Sequence, residues 1–192
     1  MHDLTSQEAE MSDELVIRHC APTLASIKTA NLFSCIFTDR QEMLKHVRNL
    51  NLRLKKKGLR VLPLWFKENR GLIYVYRPDK LSKDLQDELA GSLLKKSGYS
   101  CTDENACLRK LIERLNLFSD FPHEIGLFLG YPPEDVDGFI NRRDECKCCG
   151  FWKVYGDVDN AQRLFAGYRK CTEIYCKLCQ EGRSLENLTV AV

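Results

Sequence analysis

The sequence predicts an α+β fold, a single domain that is mostly helical around a small, largely antiparallel sheet. Three observations predict it. Apolar residues recur at helical spacing in several separate stretches, only a few short runs have strand character, and neither a Gly/Ser-rich or Pro-rich linker nor a repeat of about 20 to 50 residues divides the 192-residue chain.

Taken in order, residues 14–19 read as a short helix, and Pro22 opens the next because proline is favoured at a first helical position. The apolar run 31–37 (NLFSCIF) suits a buried strand. Thr38 stands three residues before Gln41, a capping-box spacing that opens a helix with Met43, Val47, Leu50 and Leu54 on one stripe, and Gly58 ends it. Residues 59–66 and 72–77 are rich in aromatic and aliphatic side chains and pair as a hairpin across a glycine-containing turn at 67–71. Pro63 cannot donate to a ladder, so the first of these strands lies at an edge or has a bulge there. Leu81, Leu85 and Leu89 mark one amphipathic helix ending near Gly98, and Leu108, Leu111, Ile112 and Leu115 mark another. Short helices from Pro122 and Pro132, a strand over 151–155 and a long helix over 157–181 follow. A flexible acidic start (1–13) and a C-terminal tail (184–192) frame the domain.

At 44% hydrophobic residues, 29% charged and a net charge of +2, the chain is too apolar for disorder. No apolar run approaches the roughly 18 residues a membrane span needs. Residues 1–14 carry five acids and no Lys or Arg, the reverse of a secretory signal's basic start. The ten cysteines, about 5% of the residues, fall short of the roughly 8–10% of a secreted disulfide scaffold. The expectation is a cytoplasmic protein whose cysteines begin as thiols.

The densest chemical feature is C-terminal: Cys146, Cys148 and Cys149 before the strand, then Cys171, Cys176 and Cys179 on the long helix. From the turn at Gly156, Cys149 lies roughly 20 Å back along an extended strand. Cys171 lies roughly 22 Å along the helix. If strand and helix pack antiparallel, Cys146, Cys149, Cys171 and Cys176 meet in tiers and supply the four thiolates that zinc or an iron–sulfur cluster takes. The helical wheel opposes this, turning Cys176 toward solvent. A thiol–disulfide pair and simple packing are the other readings.

Cys20, before Pro22, falls where a helix dipole lowers a thiol pKa, so it is a candidate nucleophile with His19 or His123 as base. Glu124, in the turn after Pro122, is explained by the same dipole. No Gly-rich phosphate loop, His-Glu-x-x-His helix or Gly-x-Ser-x-Gly elbow is present.

Between Pro122 and Ile140 the spacing of Ile125, Gly126, Leu129, Gly130, Val136 and Phe139 fits a helical hairpin of helix-turn-helix form. Its second helix carries Glu134, Asp135 and Asp137, which phosphates repel. The basic run from Lys45 to Lys67, with Arg53 and Lys55 to Lys57 at its centre, fits an anionic partner, but without aromatic interleaving it argues weakly for nucleic acid.

Three segments, His19 to Phe33 (HCAPTLASIKTANLF), His123 to Pro132 (HEIGLFLGYP) and Gly150 to Gly156 (GFWKVYG), resemble the bacterial domain-of-unknown-function family numbered 3793, found mainly in anaerobic Firmicutes. The resemblance spans nearly the whole chain. It implies one intact domain in the cytoplasm of an anaerobe, in a setting of redox or iron chemistry, and carries over no catalytic residue. The same segments hold Lys28, Glu124, Trp152, Lys153 and Tyr155 with His19, Cys20 and His123, residues suited to a pocket for a small anionic or redox-active ligand. The leading expectation is a thiol-based redox or metal-linked binding or accessory module, working with a redox protein or a small anionic ligand. An enzyme acting through Cys20 and a nucleic-acid-binding regulator are the alternatives.

Overall fold

In the computed structural model, which describes residues 11–100, 103–117 and 121–191, strand β3 (Arg70–Tyr76) runs through the middle of the molecule. It pairs antiparallel on one side with β1 (Ala30–Ile36) and on the other with β2 (Arg60–Lys67). Successive strand side chains point to opposite faces, and both faces of β3 are buried, so the sheet needs helices on each side.

Leu72, Tyr74 and Tyr76 face one layer, built from α3 (Pro78–Leu85), α4 (Glu88–Lys96), α5 (Glu104–Leu117), α6 (Ile125–Phe128) and α7 (Pro133–Asn141). Leu81, Leu93, Leu111 and Phe128 fill the space beneath them. Ile73 and Val75 face the other layer, built from α1 (Asp13–Leu24), α2 (Arg40–Leu54), α8 (Val158–Gln180) and α9 (Leu185–Leu188). Among the described residues no helix is long and apolar enough to cross a membrane.

The α+β class holds, and so do most elements. β2 is an edge strand and its register shifts between Pro63 and Trp65, so the proline sits at both features its missing N–H demands. Gly58 closes α2 and the 3₁₀ turn at Lys55–Lys57 in a left-handed conformation, φ 75°.

Several boundaries differ from the sequence reading. Asp39, not Thr38, caps α2, its carboxylate accepting from the Gln41 N–H at 2.7 Å. The hairpin turn is Glu68–Asn69, tighter than expected, and leaves Gly71 inside β3 with the Phe66 ring against it. The helix expected from Leu81 to Gly98 breaks at Asp87, which caps α4 and leaves Leu89 exposed. The strand expected over 151–155 is only β5 (Lys153–Val154), paired with β4 (Cys148–Cys149) in a separate small hairpin.

The largest correction concerns Cys20. Helix α1 runs unbroken through it with Pro22 in the last turn, where proline forfeits only the bond to the Arg18 carbonyl. Cys20 is therefore mid-helix, with none of its surface exposed. The expected tail is also docked. Leu185 and Leu188 are both buried where α9 packs on α1 and α8, and the Val190 N–H donates to Leu24 O at 3.0 Å. Arg77 ties these ends together, its buried guanidinium donating to the carbonyls of Thr23 and Leu24 at 2.8 Å, Lys57 at 3.1 Å and Val190 at 2.8 Å. Most of the segment expected to be a flexible start, and Cys101, lie outside the described residues.

Candidate functional site

The β4–β5 hairpin doubles back over Gly150, Phe151 and Trp152, with Cys148 opposite Val154 and Cys149 opposite Lys153. Glycine is required at 150, since a Cβ there would lie 2.2 Å from the Phe165 ring of α8. Asp135 of α7 anchors the hairpin. One carboxylate oxygen accepts from the Trp152 indole N–H at 2.7 Å, the other from the Tyr155 and Gly156 N–H groups at 2.7 Å each. Gly138, one turn along α7, leaves room for the Tyr155 ring to lie on the helix backbone.

On the arm that enters this turn, Cys146 and Cys149, three residues apart, place their Sγ atoms 3.6 Å from each other. Cys149 is exposed, and Cys146 is half-buried with its Sγ 3.2 Å from Cys148 O. Cys148 turns the other way and packs with Trp152 and Phe165. Partial burial, then the hydrogen bond to and the charge of Cys149, hold the Cys146 thiol above its ordinary range, while Lys153 pulls the other way.

The tiered arrangement of thiols is not formed. It required 146–155 to be one extended strand, and the hairpin shortens that reach. Among the described residues no three His, Cys, Asp or Glu side chains converge in a manner that could hold a metal ion. Cys171 is half-buried on α8, its thiol pushed up to about 11 by burial. Cys176 opens onto a different cleft, and Cys179 packs against the α1 and α2 layer.

Lys153, the strand partner of Cys149, also lines a cavity of about 380 Å³ with largely apolar walls, formed with Pro122, His123, Val136, Phe139 and Trp152 among others. Its rim is cationic. Lys153 Nζ stands 5.6 Å and the Arg143 guanidinium 5.4 Å from the Phe139 ring centre, and the His123 ring meets Phe139 edge-on at 5.0 Å. Arg143 donates to His123 Nε2, which places the imidazole proton on Nδ1.

The candidate residues thus divide. His123, Trp152 and Lys153 line this cavity, while His19, Lys28 and Cys176 line a second cleft on the other side of Tyr131, whose ring stacks on Trp152 at 4.7 Å. Burial, then the charge of Arg18, lowers the His19 pKa, and its ring stacks on Phe33. Glu124 is buried and accepts from Arg114 at 2.6 Å and from the Tyr99 hydroxyl at 3.1 Å, a structural ion pair. Tyr155 is buried with its hydroxyl donating to Arg143 O at 3.3 Å. The Cys20 thiol, in a fully buried environment, is pushed well up despite the nearby charge of Lys28, so the helix-start argument for a nucleophile has no basis.

Sequence spacing points to Asp135 and Phe139 only as parts of a helical hairpin, and nothing in it points to Arg143. The only local signal for the dithiol is the Cys-x-x-Cys-Gly spacing at 146–150. The basic run is partly neutralised, with Arg53 held by Asp13 and Glu186 and Lys45 by Glu42.

No curated protein and no solved structure matches the chain. The sequence model of one family covers residues 16–189, the sheet and both helical layers with the dithiol hairpin, and the chain accordingly belongs to the family described as protein of unknown function DUF3793.

Proposed function

We propose that the protein is a cytoplasmic thiol-based redox module in which Cys149 and Cys146 cycle between dithiol and disulfide. The observation that carries this reading is the 3.6 Å Sγ–Sγ approach on an exposed hairpin. Cys149 as thiolate attacks one sulfur of a partner's disulfide and releases one partner thiolate. Cys146 then gives its proton to solvent and attacks Cys149 Sγ, forming the intramolecular disulfide and releasing the second thiolate. Two electrons pass from the dithiol to the partner, whose two thiolates take up protons. Two equivalents of a low-molecular-weight thiol then reduce the Cys146–Cys149 disulfide by two exchanges and leave as their own disulfide, which restores the dithiol. The aromatic cavity and its cationic rim give the partner an apolar, anion-tolerant contact beside the sulfurs.

The test is redox equilibration. Protein purified without oxygen is held in glutathione buffers spanning about −150 to −300 mV, acid-quenched, alkylated and mapped by mass spectrometry. A Cys146–Cys149 disulfide with a two-electron midpoint, retained in Cys148→Ser, is expected. Thiols that stay reduced across the range, or a disulfide elsewhere, overturn the reading.

A metal-linked role for the same pair has its own support, because two thiolates on one zinc at about 2.3 Å stand about 3.8 Å apart, close to the observed spacing. The pair would supply two of four ligands. Zinc or iron that purifies in proportion to protein and is lost in Cys146→Ser would make this the function instead.

A further inference from the structure

The cleft beyond Tyr131 is larger, about 610 Å³, and chemically unlike the first. Helix α1 contributes Arg18, helix α8 contributes Arg169 and Glu173, and Lys28 lies at its floor. Arg18 and Arg169 are exposed, and among the described residues neither has a carboxylate within 4 Å, whereas Arg53, Arg114 and Arg142 all do. Lys28 is 5% exposed and hydrogen-bonded only to carbonyls, those of Ala30 and, at 2.9 Å, Leu129. Its Nζ lies 5.2 Å from the Tyr131 ring centre. With Lys28 protonated, three positive groups and the carboxylate of Glu173 line the cleft, and Asp84 acts on Lys28 from α3, an excess of one positive charge. Tyr131 and Phe151 give the same cleft flat aromatic surface, and Phe151 is 41% exposed.

We propose that this cleft binds a phosphate monoester carried on a flat aromatic body, with the phosphate among Arg18, Arg169 and Lys28 and the ring against Tyr131 and Phe151. Guanidinium groups match phosphate oxygens in geometry as well as charge, and the local excess of positive charge attracts an anion. Neither sulfur of the dithiol lines this cleft, although Phe151 belongs to the hairpin that carries them.

Binding is also linked to protons. Burial lowers the Lys28 pKa to about 7, opposed by the interactions with its neighbours Cys20 on α1 and Asp84 on α3. His19, Arg18, Tyr131, Arg169, Glu173 and Cys176 are the other titratable groups on the cleft. A phosphate dianion beside Lys28 restores its proton, so binding at pH 8 takes up protons from solution.

The experiment is isothermal titration calorimetry of the full chain at low salt with adenosine 5′-monophosphate and phenyl phosphate, and with adenosine, phenol and inorganic phosphate as part-ligands. At least one ester is expected to bind with Kd below about 1 mM and more tightly than any part-ligand. Arg18→Glu and Arg169→Glu, both at exposed positions, should each weaken binding at least tenfold with unchanged circular dichroism. Repeating the wild-type titration at pH 8 in buffers of different ionisation enthalpy should show proton uptake that Lys28→Met abolishes. Cys146→Ser should bind normally, which separates this site from the redox reading. Binding by neither ester, undiminished binding in both arginine variants, or inorganic phosphate binding as tightly as the esters would overturn the proposal.

Discussion

Asp135 accepts a 2.7 Å hydrogen bond from the Trp152 indole, and both side chains are buried. That bond, with two more from the Tyr155 and Gly156 backbone to the other carboxylate oxygen, fastens the cysteine hairpin to α7. Asp135→Asn keeps the shape but sets an amide N–H₂ against existing donors, leaving buried groups unsatisfied. It should destabilise the protein by roughly 2–4 kcal/mol in denaturant titrations. In a Trp65→Phe background Trp152 is the remaining tryptophan, and its emission should shift to the red. An unchanged midpoint would show that the carboxylate does not anchor the hairpin.

Cys149 and Cys20 should separate by reactivity. In native protein at pH 8, iodoacetamide should modify Cys149 readily and leave Cys20 untouched, because Cys20 is fully buried and its thiol is held protonated. Peptide mapping after short exposure reads this directly. Cys20 alkylated as fast as in unfolded chain would contradict its placement inside α1.

Lys28 makes stability depend on pH. Its folded pKa of about 7 lies below the ordinary lysine value, so in between the unfolded chain binds a proton that the native state lacks, and stability rises with pH. Cys20, raised by burial, works oppositely once free thiols ionise. The window is therefore pH 7 to about 8.5. Urea unfolding across it should give a rising stability in the wild type that is flatter in Lys28→Met. Equal slopes would mean Lys28 does not titrate there.

Two glycines should respond oppositely to alanine. At Gly138 a Cβ would stand 2.2 Å from the Tyr155 ring, so Gly138→Ala should cost about 1–3 kcal/mol through forced displacement of the hairpin. At Gly91, inside α4, nothing lies within 4 Å, and alanine should add about 0.5–1 kcal/mol by lowering unfolded-state entropy. Thermal melts of the two variants check both signs.

The sequence by itself determined the α+β class, the stripe that makes α2, an edge or a bulge for β2 at Pro63, and the long α8, because each follows from contacts within a few residues or from one proline; the structure has both edge and bulge. Helix α1 was misread for the same reason: Pro22 is a local signal, and only burial against β1 and α8 shows that the helix continues through it. The cysteines were visible as a set, but their meeting was decided by tertiary structure. Gly150 turns the chain because Phe165 packs over it, and Asp135, eleven residues before Cys146, fixes the returning strand. Lys28 and Arg169 are far apart in sequence and share a cleft through the packing of α1 on α8. Spacing rules reach one turn of helix or one hairpin; burial and long-range hydrogen bonds chose which sulfurs and which charges became neighbours.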